Sequence, residues 1–233
     1  LLLDYVINAR RATGTMPENP GAMASIVSTS MARTICEKNG VHFEDTFTGF
    51  KFMAELVNHW DAAGTYHYIF AFEESYGYLS GSHVRDKDGV NAVLLLCEMA
   101  SFYQSRGMTL CDAMDALYVA YGYYCCAQES FAFSGASAMQ DMTHCMQRLR
   151  ENSPTEIAVL PVTKITDYLA PTTGLPASDV LEFRLHGGCK LTVRPSGTEP
   201  KLKLYLSAKA DTQAEAETLL NRLRAACKPL LRL

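Results

Sequence analysis

The sequence predicts an α/β protein: a mixed-sheet α/β/α domain over residues 1–126, followed by a smaller α+β domain over residues 127–233 with an antiparallel sheet and two helices. Two observations carry that reading. Through the first half, short β-type runs alternate with helical periodicity, the pattern of an α/β layer architecture. After Tyr123-Tyr124 the pattern changes to several strand runs separated by turn signals, with one helix early and one at the end.

In the first half, Leu2, Leu3, Val6, Ile7 and Ala9 recur at helical spacing between Asp4, Asn8, Arg10 and Arg11, and Gly14 and Pro17 stop the helix. Ala24–Ser28 is a short strand leading into Ser28-Thr29-Ser30, which can cap a helix over Met31–Asn39 that Gly40 ends. Val41–Phe43 is extended, and after the turn Thr48-Gly49-Phe50-Lys51 a short helix carries Phe52, Leu56 and Val57. Tyr66–Phe72, aromatic and β-branched, is the strongest strand, and a Gly- and Ser-containing loop follows it to Gly89. Val90–Ser105 reads as a long apolar helix ended by Gly107. Leu110–Tyr121 reads as another, opened by Thr109 with Asp112 in its first turn.

In the second half, Ser130–Phe133 is a brief strand, and Ser137–Arg150 a helix with Met139, Met142, Met146 and Leu149 on one face. Ser153-Pro154 breaks it. Ile157–Val162 and Val180–Leu185 are strands, Gly187-Gly188 is a hairpin turn, and Cys189–Arg194 and Lys201–Ala208 are further strands. Thr212–Cys227 is a closing helix with Ala216, Leu219, Leu220 and Leu223 inward. The order is β-α-β-β-β-α, and the domains meet near residues 124–128, the natural hinge.

Apolar residues make up 48% and charged residues 20%, an ordinary globular composition. The net charge of −4 leaves no basic surplus for a nucleic-acid backbone, so any anionic ligand must be met by a few placed cations. No apolar run reaches the length of a membrane span, and Leu1-Leu2-Leu3 is too short for a signal-peptide core. The eight cysteines form no C-x-x-C pair and the six histidines are scattered, so reduced, mostly buried thiols in the cytoplasm and no metal site are expected. A chain that begins with Leu1 in mid-pattern suggests a piece of a longer protein.

Two loops have an inventory suited to a polar, anionic ligand. Arg194-Pro195-Ser196-Gly197-Thr198 with Lys201 and Lys203 offers a guanidinium fork, hydroxyls, ammonium groups and a glycine that lets backbone N–H groups approach an anion. Alone, that string equally suits a solvated hairpin loop. Glu73-Glu74-Ser75-Tyr76-Gly77 ends the strongest strand, where α/β sheets tend to hold ligands, and a carboxylate there can accept from two sugar hydroxyls. It also suits a solvated turn. In Arg85-Asp86-Lys87-Asp88-Gly89, Asp88 can cap a helix, Arg85 can pair with Asp86, and Lys87 is free to reach outward. His67 and His83 flank the Glu73 loop.

Phe72-Glu73-Glu74-Ser75-Tyr76-Gly77-Tyr78, Val84-Arg85-Asp86-Lys87-Asp88-Gly89, Thr46-Phe47-Thr48-Gly49-Phe50-Lys51-Phe52 and Arg194-Pro195-Ser196-Gly197-Thr198-Glu199-Pro200-Lys201 together closely resemble motifs of the α-D-phosphohexomutases, in that superfamily's order and spacing. The likeness is nearest to the phosphoglucomutase/phosphopentomutase branch and extends over essentially the whole chain. It implies the last two of four domains around a deep cleft, a sugar-recognition domain and a mobile phosphate-clamp domain. By resemblance, Glu73 and Ser75 read sugar hydroxyls, and Thr48, Gly49 and Lys87 are further ligand contacts. Arg194, Ser196, Gly197 and Thr198 form the phosphate loop, with Lys203 as a candidate for the basic residue that follows it; Lys201 and Tyr205 also lie near that position.

The resemblance implies an isomerase that moves a phosphoryl group between the 1- and 6- (or 1- and 5-) positions of a hexose or pentose phosphate. The route runs through an enzyme phosphoserine, a bisphosphate intermediate and Mg²⁺. The family's serine string (Thr/Ser-Ala-Ser-His-Asn-Pro) and Asp-Gly-Asp-x-Asp-Arg metal loop do not occur in this sequence. Nucleophile and metal ligands are therefore expected in N-terminal domains outside it, with this part catalytically silent alone. The alternative is a stand-alone sugar-phosphate-binding or regulatory module.

Overall fold

The computed structural model describes residues 1–170 and 175–232. The chain divides into two compact units, Leu1–Gly122 and Tyr123–Leu233.

The first unit runs α1 (Leu2–Ala12), β1 (Pro20–Ser25), α2 (Met31–Lys38), β2 (His42–Thr46), α3 (Phe50–Ala63), β3 (His67–Phe72), β4 (Tyr78–Leu79), α4 (Gly89–Gln104) and α5 (Leu110–Tyr121). Its sheet has the order β2-β1-β3-β4, with β1 parallel to β2 and β3, and β4 antiparallel to β3. The sheet is mixed, as the sequence predicts. Side chains alternate across it. Met23 and Ala71, register partners, meet Met53, Val57 and Trp60 of α3 in one core cluster. On α1, the Tyr5 hydroxyl donates to Glu98 of α4 (2.6 Å), and the Tyr121 hydroxyl at the end of α5 donates to Asp4 (2.7 Å).

Helix α3 has 14 residues, longer than the short helix expected, and β4 comes without an expectation. The expected Thr109/Asp112 start of α5 is a reciprocal capping box. Helix α4 is apolar as read but only partly buried: Ala92 and Met99 are inside, while Val90, Val93 and Leu94 are 84%, 60% and 66% exposed. Ser30 precedes α2 without a side-chain cap bond; Thr29 Oγ1 instead accepts from the Met31 N–H at 3.3 Å.

The second unit runs β5 (Tyr123–Ala132), α6 (Ala138–Glu151), β6 (Glu156–Ile157), β7 (Leu160–Asp167), β8 (Leu181–Leu185), β9 (Lys190–Pro195), β10 (Lys201–Ala210) and α7 (Gln213–Leu231). The strand order is β5-β10-β9-β8-β7-β6, every described pairing antiparallel. Both helices cover one face. Met142, Met146 and Leu149 of α6 and Leu220, Leu223 and Cys227 of α7 close a core with Phe183, Leu191, Val193, Leu202, Leu204 and Leu206. Met139, expected inward, is 52% exposed.

Three corrections concern this unit. The expected brief strand at 130–133 is the end of a ten-residue strand, because residues 124–128 are laddered to Lys209–Tyr205 of β10. Those residues are therefore sheet and not a hinge, and Gly122 caps α5 just before the strand. The single strand expected at 157–162 is a hairpin of β6 and β7, turning through Ala158 and Val159 at φ +55° and +61°. Gly187-Gly188 turns the chain as expected, within a short 3-10 segment.

All eight cysteines are free thiols. Cys36, Cys145, Cys189 and Cys227 are buried, Cys125 half-buried, and Cys97, Cys111 and Cys126 exposed, so fewer are inside than expected. Burial pushes the Cys36 and Cys227 thiols up to about 12, which suppresses the reactive thiolate. Among the described residues, no helix is long and apolar enough to cross a membrane.

Candidate functional site

The two units each carry one candidate site. In the first, the order β2-β1-β3 makes the chain leave β1 toward one side and return on the other. The carboxyl ends of β1 and β3 therefore border a switch point, where open α/β sheets hold ligands. The three loops leaving the parallel strands converge there. Ser25, buried at the end of β1, donates to Glu74 Oε2 at 2.8 Å, and its oxygen lies 2.8 Å from the Ser28 hydroxyl. Since Ser25 spends its proton on Glu74, Ser28 donates to Ser25.

Glu73 follows β3 and is only 8% exposed. Its Oε1 accepts from the backbone N–H of Gly49, which precedes α3 at φ +119°, so the carboxylate stands at the N-terminus of that helix. The Glu73 N–H donates to the Gly77 carbonyl at 2.8 Å, closing the loop. A Cβ on Gly77 would stand 2.5 Å from the Phe50 ring and 3.4 Å from Glu73 Oε2, so only glycine lets the loop lie this close to α3. Thr48, half-buried, shares the Gly49 turn, while Ser75 and Tyr76 are exposed at the loop's tip. Four of the sequence-predicted residues, Thr48, Gly49, Glu73 and Ser75, thus lie on adjoining loops at one sheet edge.

Lys87 lies on the next loop with its side chain exposed. That loop is tied down by its neighbours: the Asp88 N–H donates to the Tyr78 carbonyl (2.9 Å), and Asp88 Oδ1 caps α4 by accepting from the Asn91 N–H (3.0 Å). His83 lies 2.8 Å from Asp88 Oδ2. The Asn91 N–H and His83 hold the Asp88 carboxyl below the usual carboxylate range. Arg85 does not pair with Asp86 as expected but with Asp61 (2.7 Å) and Asn58 (3.1 Å) of α3, whose side chains reach it across the fold. His67 begins β3, at the opposite end of that strand from Glu73, and its ring meets the Glu18 carbonyl at 2.7 Å. It does not flank the loop in space.

In the second unit, β9 and β10 are joined by the turn Ser196–Pro200. The Ser196 N–H donates to the Lys201 carbonyl and the Lys201 N–H to the Glu199 carbonyl, both at 2.8 Å. Arg194 and Lys203 are direct register partners, so both project from the face opposite the helices. Ser196 is half-buried, and Gly197 and Thr198 are exposed. Lys201 is committed to Glu199 (3.0 Å) and draws that carboxyl below its usual range. Tyr205 is buried opposite Thr192, whose hydroxyl finds no partner among the described residues. Of the three candidates after the loop, this leaves Lys203 beside Arg194.

Glycine at 197 is not required by the fold: a Cβ there would meet nothing within 4 Å. The sequence reading missed Ser25 and Ser28, and with them the partner of Glu74. Its only signal for the two serines was a serine-rich segment after a strand, which equally fits a helix cap. Among the described residues, no group of three or more His, Cys, Asp or Glu could hold a metal ion.

The family description "Phosphoglucomutase/phosphomannomutase, alpha/beta/alpha domain III" matches residues 2–121, and "Phosphoglucomutase/phosphomannomutase, C-terminal domain" matches residues 150–226. The chain belongs to the phosphoglucomutase/phosphomannomutase family. Similar family members include a phosphoglucomutase of Staphylococcus haemolyticus, 32% identical over 91% of this chain and 39% of that protein. Another, of Staphylococcus aureus, is 38% identical over 79% of this chain and 35% of that protein. The chain thus spans well under half the length of these curated relatives. In fold, it resembles the phosphoglucomutase parafusin of Paramecium, with a TM-score of 0.69 at 19% identity over 99% of this chain and 41% of the other. A phosphoglucomutase/phosphomannomutase family protein of Burkholderia thailandensis gives 0.59 at 13% identity over 98% and 41%.

Proposed function

We propose that this chain is the substrate-recognition part of a cytoplasmic sugar-phosphate mutase. The first unit reads sugar hydroxyls with Glu73 and Ser75, helped by Thr48, Gly49 and Lys87. The second grips the phosphate that is not reacting with Arg194, Lys203 and the Ser196-Gly197-Thr198 turn. The observation that carries the reading is the register pairing of Arg194 with Lys203. Two like charges directly opposite on neighbouring strands repel, and a phosphate dianion between them turns that repulsion into attraction. A guanidinium fork and an ammonium recognise charge and tetrahedral oxygen geometry but no sugar. Such a clamp suits a reaction in which either end of a bisphosphate must be held in turn.

The reaction proposed for the complete protein moves a phosphoryl group between the 1- and 6- (or 1- and 5-) positions through a phosphoserine and a bisphosphate. In this reading Mg²⁺ and the nucleophilic serine are supplied by other parts of the protein, and this chain alone is inactive.

Titrating the chain with glucose 1-phosphate and with inorganic phosphate tests the assignment. Arg194→Ala should weaken both, by ~1.5–3 kcal/mol, the size of a hydrogen bond to a charged group. Glu73→Gln should weaken glucose 1-phosphate while leaving inorganic phosphate untouched. Unchanged affinity for both ligands in Arg194→Ala would remove the clamp, and equal loss of both in Glu73→Gln would remove the sugar-reading role.

A further inference from the structure

We propose that Tyr76 is a stacking subsite for the apolar C–H face of a sugar ring, an inference that rests on the reading of Glu73 and Ser75 given above. The loop between β3 and β4 has five residues, and the fold accounts for most of them. The Glu73 carboxylate is held by the Gly49 N–H, Glu74 by Ser25, and Gly77 is seated against Phe50. The main chain is closed by the bond from the Glu73 N–H to the Gly77 carbonyl (2.8 Å). Ser75 contributes a hydroxyl. The hairpin turn explains the backbone of Tyr76, the last residue of the three-residue loop inside that bond, at φ +61°, but not its side chain: glycine or asparagine would be at ease there, and the tyrosine is 89% exposed with no packing role. A bulky residue in that backbone region costs free energy, and here no buried contact offsets it. Such outliers persist at ligand sites, where the side chain's position is what matters.

The chemistry of the loop matches one ligand class. A sugar ring presents hydroxyls at its edge and C–H groups on its faces. The C–H hydrogens carry slight positive charge and meet the negative face of an aromatic ring favourably, while the contact removes apolar surface from water. Five consecutive residues here supply a carboxylate, a hydroxyl and a stiff aromatic ring, which loses little rotamer freedom on binding. Inorganic phosphate uses none of the ring, so the subsite contributes to sugar affinity alone.

The test compares Tyr76→Phe, which keeps the ring, with Tyr76→Gly, which removes it and relaxes the backbone. Glucose 1-phosphate and inorganic phosphate are titrated into the full chain. Tyr76→Phe should bind glucose 1-phosphate within about twofold of the parent, whereas Tyr76→Gly should lose roughly 3- to 10-fold, the size of an aromatic contact. Inorganic phosphate affinity should not move in either. Parent-like glucose 1-phosphate binding by Tyr76→Gly would overturn the subsite while leaving the Glu73 reading intact. Equal losses in both variants would assign the effect to the hydroxyl and overturn the stacking role. A parent chain that binds glucose 1-phosphate no better than inorganic phosphate would overturn the Glu73 reading and the subsite with it. Independently of any variant, glucose 1-phosphate should protect Tyr76 from nitration by tetranitromethane, as mapped by mass spectrometry, and inorganic phosphate should not. Equal nitration with and without the sugar phosphate counts against the subsite.

Discussion

The loop after β3 and the turn between β9 and β10 hold the two halves of the proposed recognition chemistry, and they are built on opposite principles. Around Glu73 the fold has already spent most of the polar groups: one carboxylate is bonded to Gly49, the next to Ser25, and a glycine is wedged against Phe50. Around Arg194 the protein bonds its backbone internally and leaves the cations and hydroxyls at a half-exposed edge, with open space where a Cβ on Gly197 would go. The first is preorganised by internal contacts, suiting a ligand whose hydroxyls must be told apart. The second is a cationic edge with room to spare, suiting a ligand read only by charge and geometry.

The two glycines expose that difference most sharply. Gly77→Ala should be the larger perturbation, because the new methyl would stand 2.5 Å from an aromatic ring at the base of α3. Overpacking of this kind costs ~1–3 kcal/mol, and denaturant unfolding of the chain should show it. Loss of stability should come with loss of glucose 1-phosphate binding, since the same shift moves Glu73. Gly197→Ala should leave stability within ~0.5 kcal/mol, as for a surface substitution, yet weaken inorganic phosphate if the backbone N–H groups of the turn approach the anion. A Gly197→Ala variant that is destabilised as much as Gly77→Ala would erase the contrast between the loops.

Legibility in the sequence followed the same divide. Both loops could be read locally, because glycine, serine, acid and arginine stand within a few residues of one another and end recognisable strands. What binds Glu74 could not: Ser25 lies 49 positions away and becomes its neighbour only because β3 returns beside β1. Strand lengths failed for a different reason. The outward positions of β5 are Cys126, Gln128 and Ser130, and the inward ones include small Cys125 and Ala127, so its alternation carries little hydrophobic signal. The β6–β7 turn uses Ala158 and Val159 at positive φ, where Asn-Gly would have announced a hairpin. Arg222 reaches the Ala158 carbonyl from α7 at 2.6 Å, a tertiary contact that no local pattern encodes.

The smallest predicted effect separates the loop before α4, beside the Glu73 loop, from the β9–β10 turn by pH. Asp88 and Glu199 both titrate below the usual values of 3.8 and 4.5, but for different reasons. Asp88 is held by the Asn91 N–H and then by His83, so its charge is part of the start of α4. Glu199 is held by the Lys201 side chain, while the turn itself is closed by backbone bonds. A carboxyl whose folded-state value is depressed adds stability above its ordinary value and loses that contribution as pH falls through the folded one. Acidification below the carboxylate range should therefore shift the Asn91 amide resonance and loosen the first turn of α4, whereas the Ser196 amide, bonded to the Lys201 carbonyl, should barely move. Asp88→Asn keeps an oxygen able to accept from Asn91 at any pH, so the acid-induced shift at Asn91 should vanish in that variant. If it persists, the first turn of α4 does not depend on the Asp88 charge, and the loop is held by its Tyr78 backbone bond, as the β9–β10 turn is held by its own.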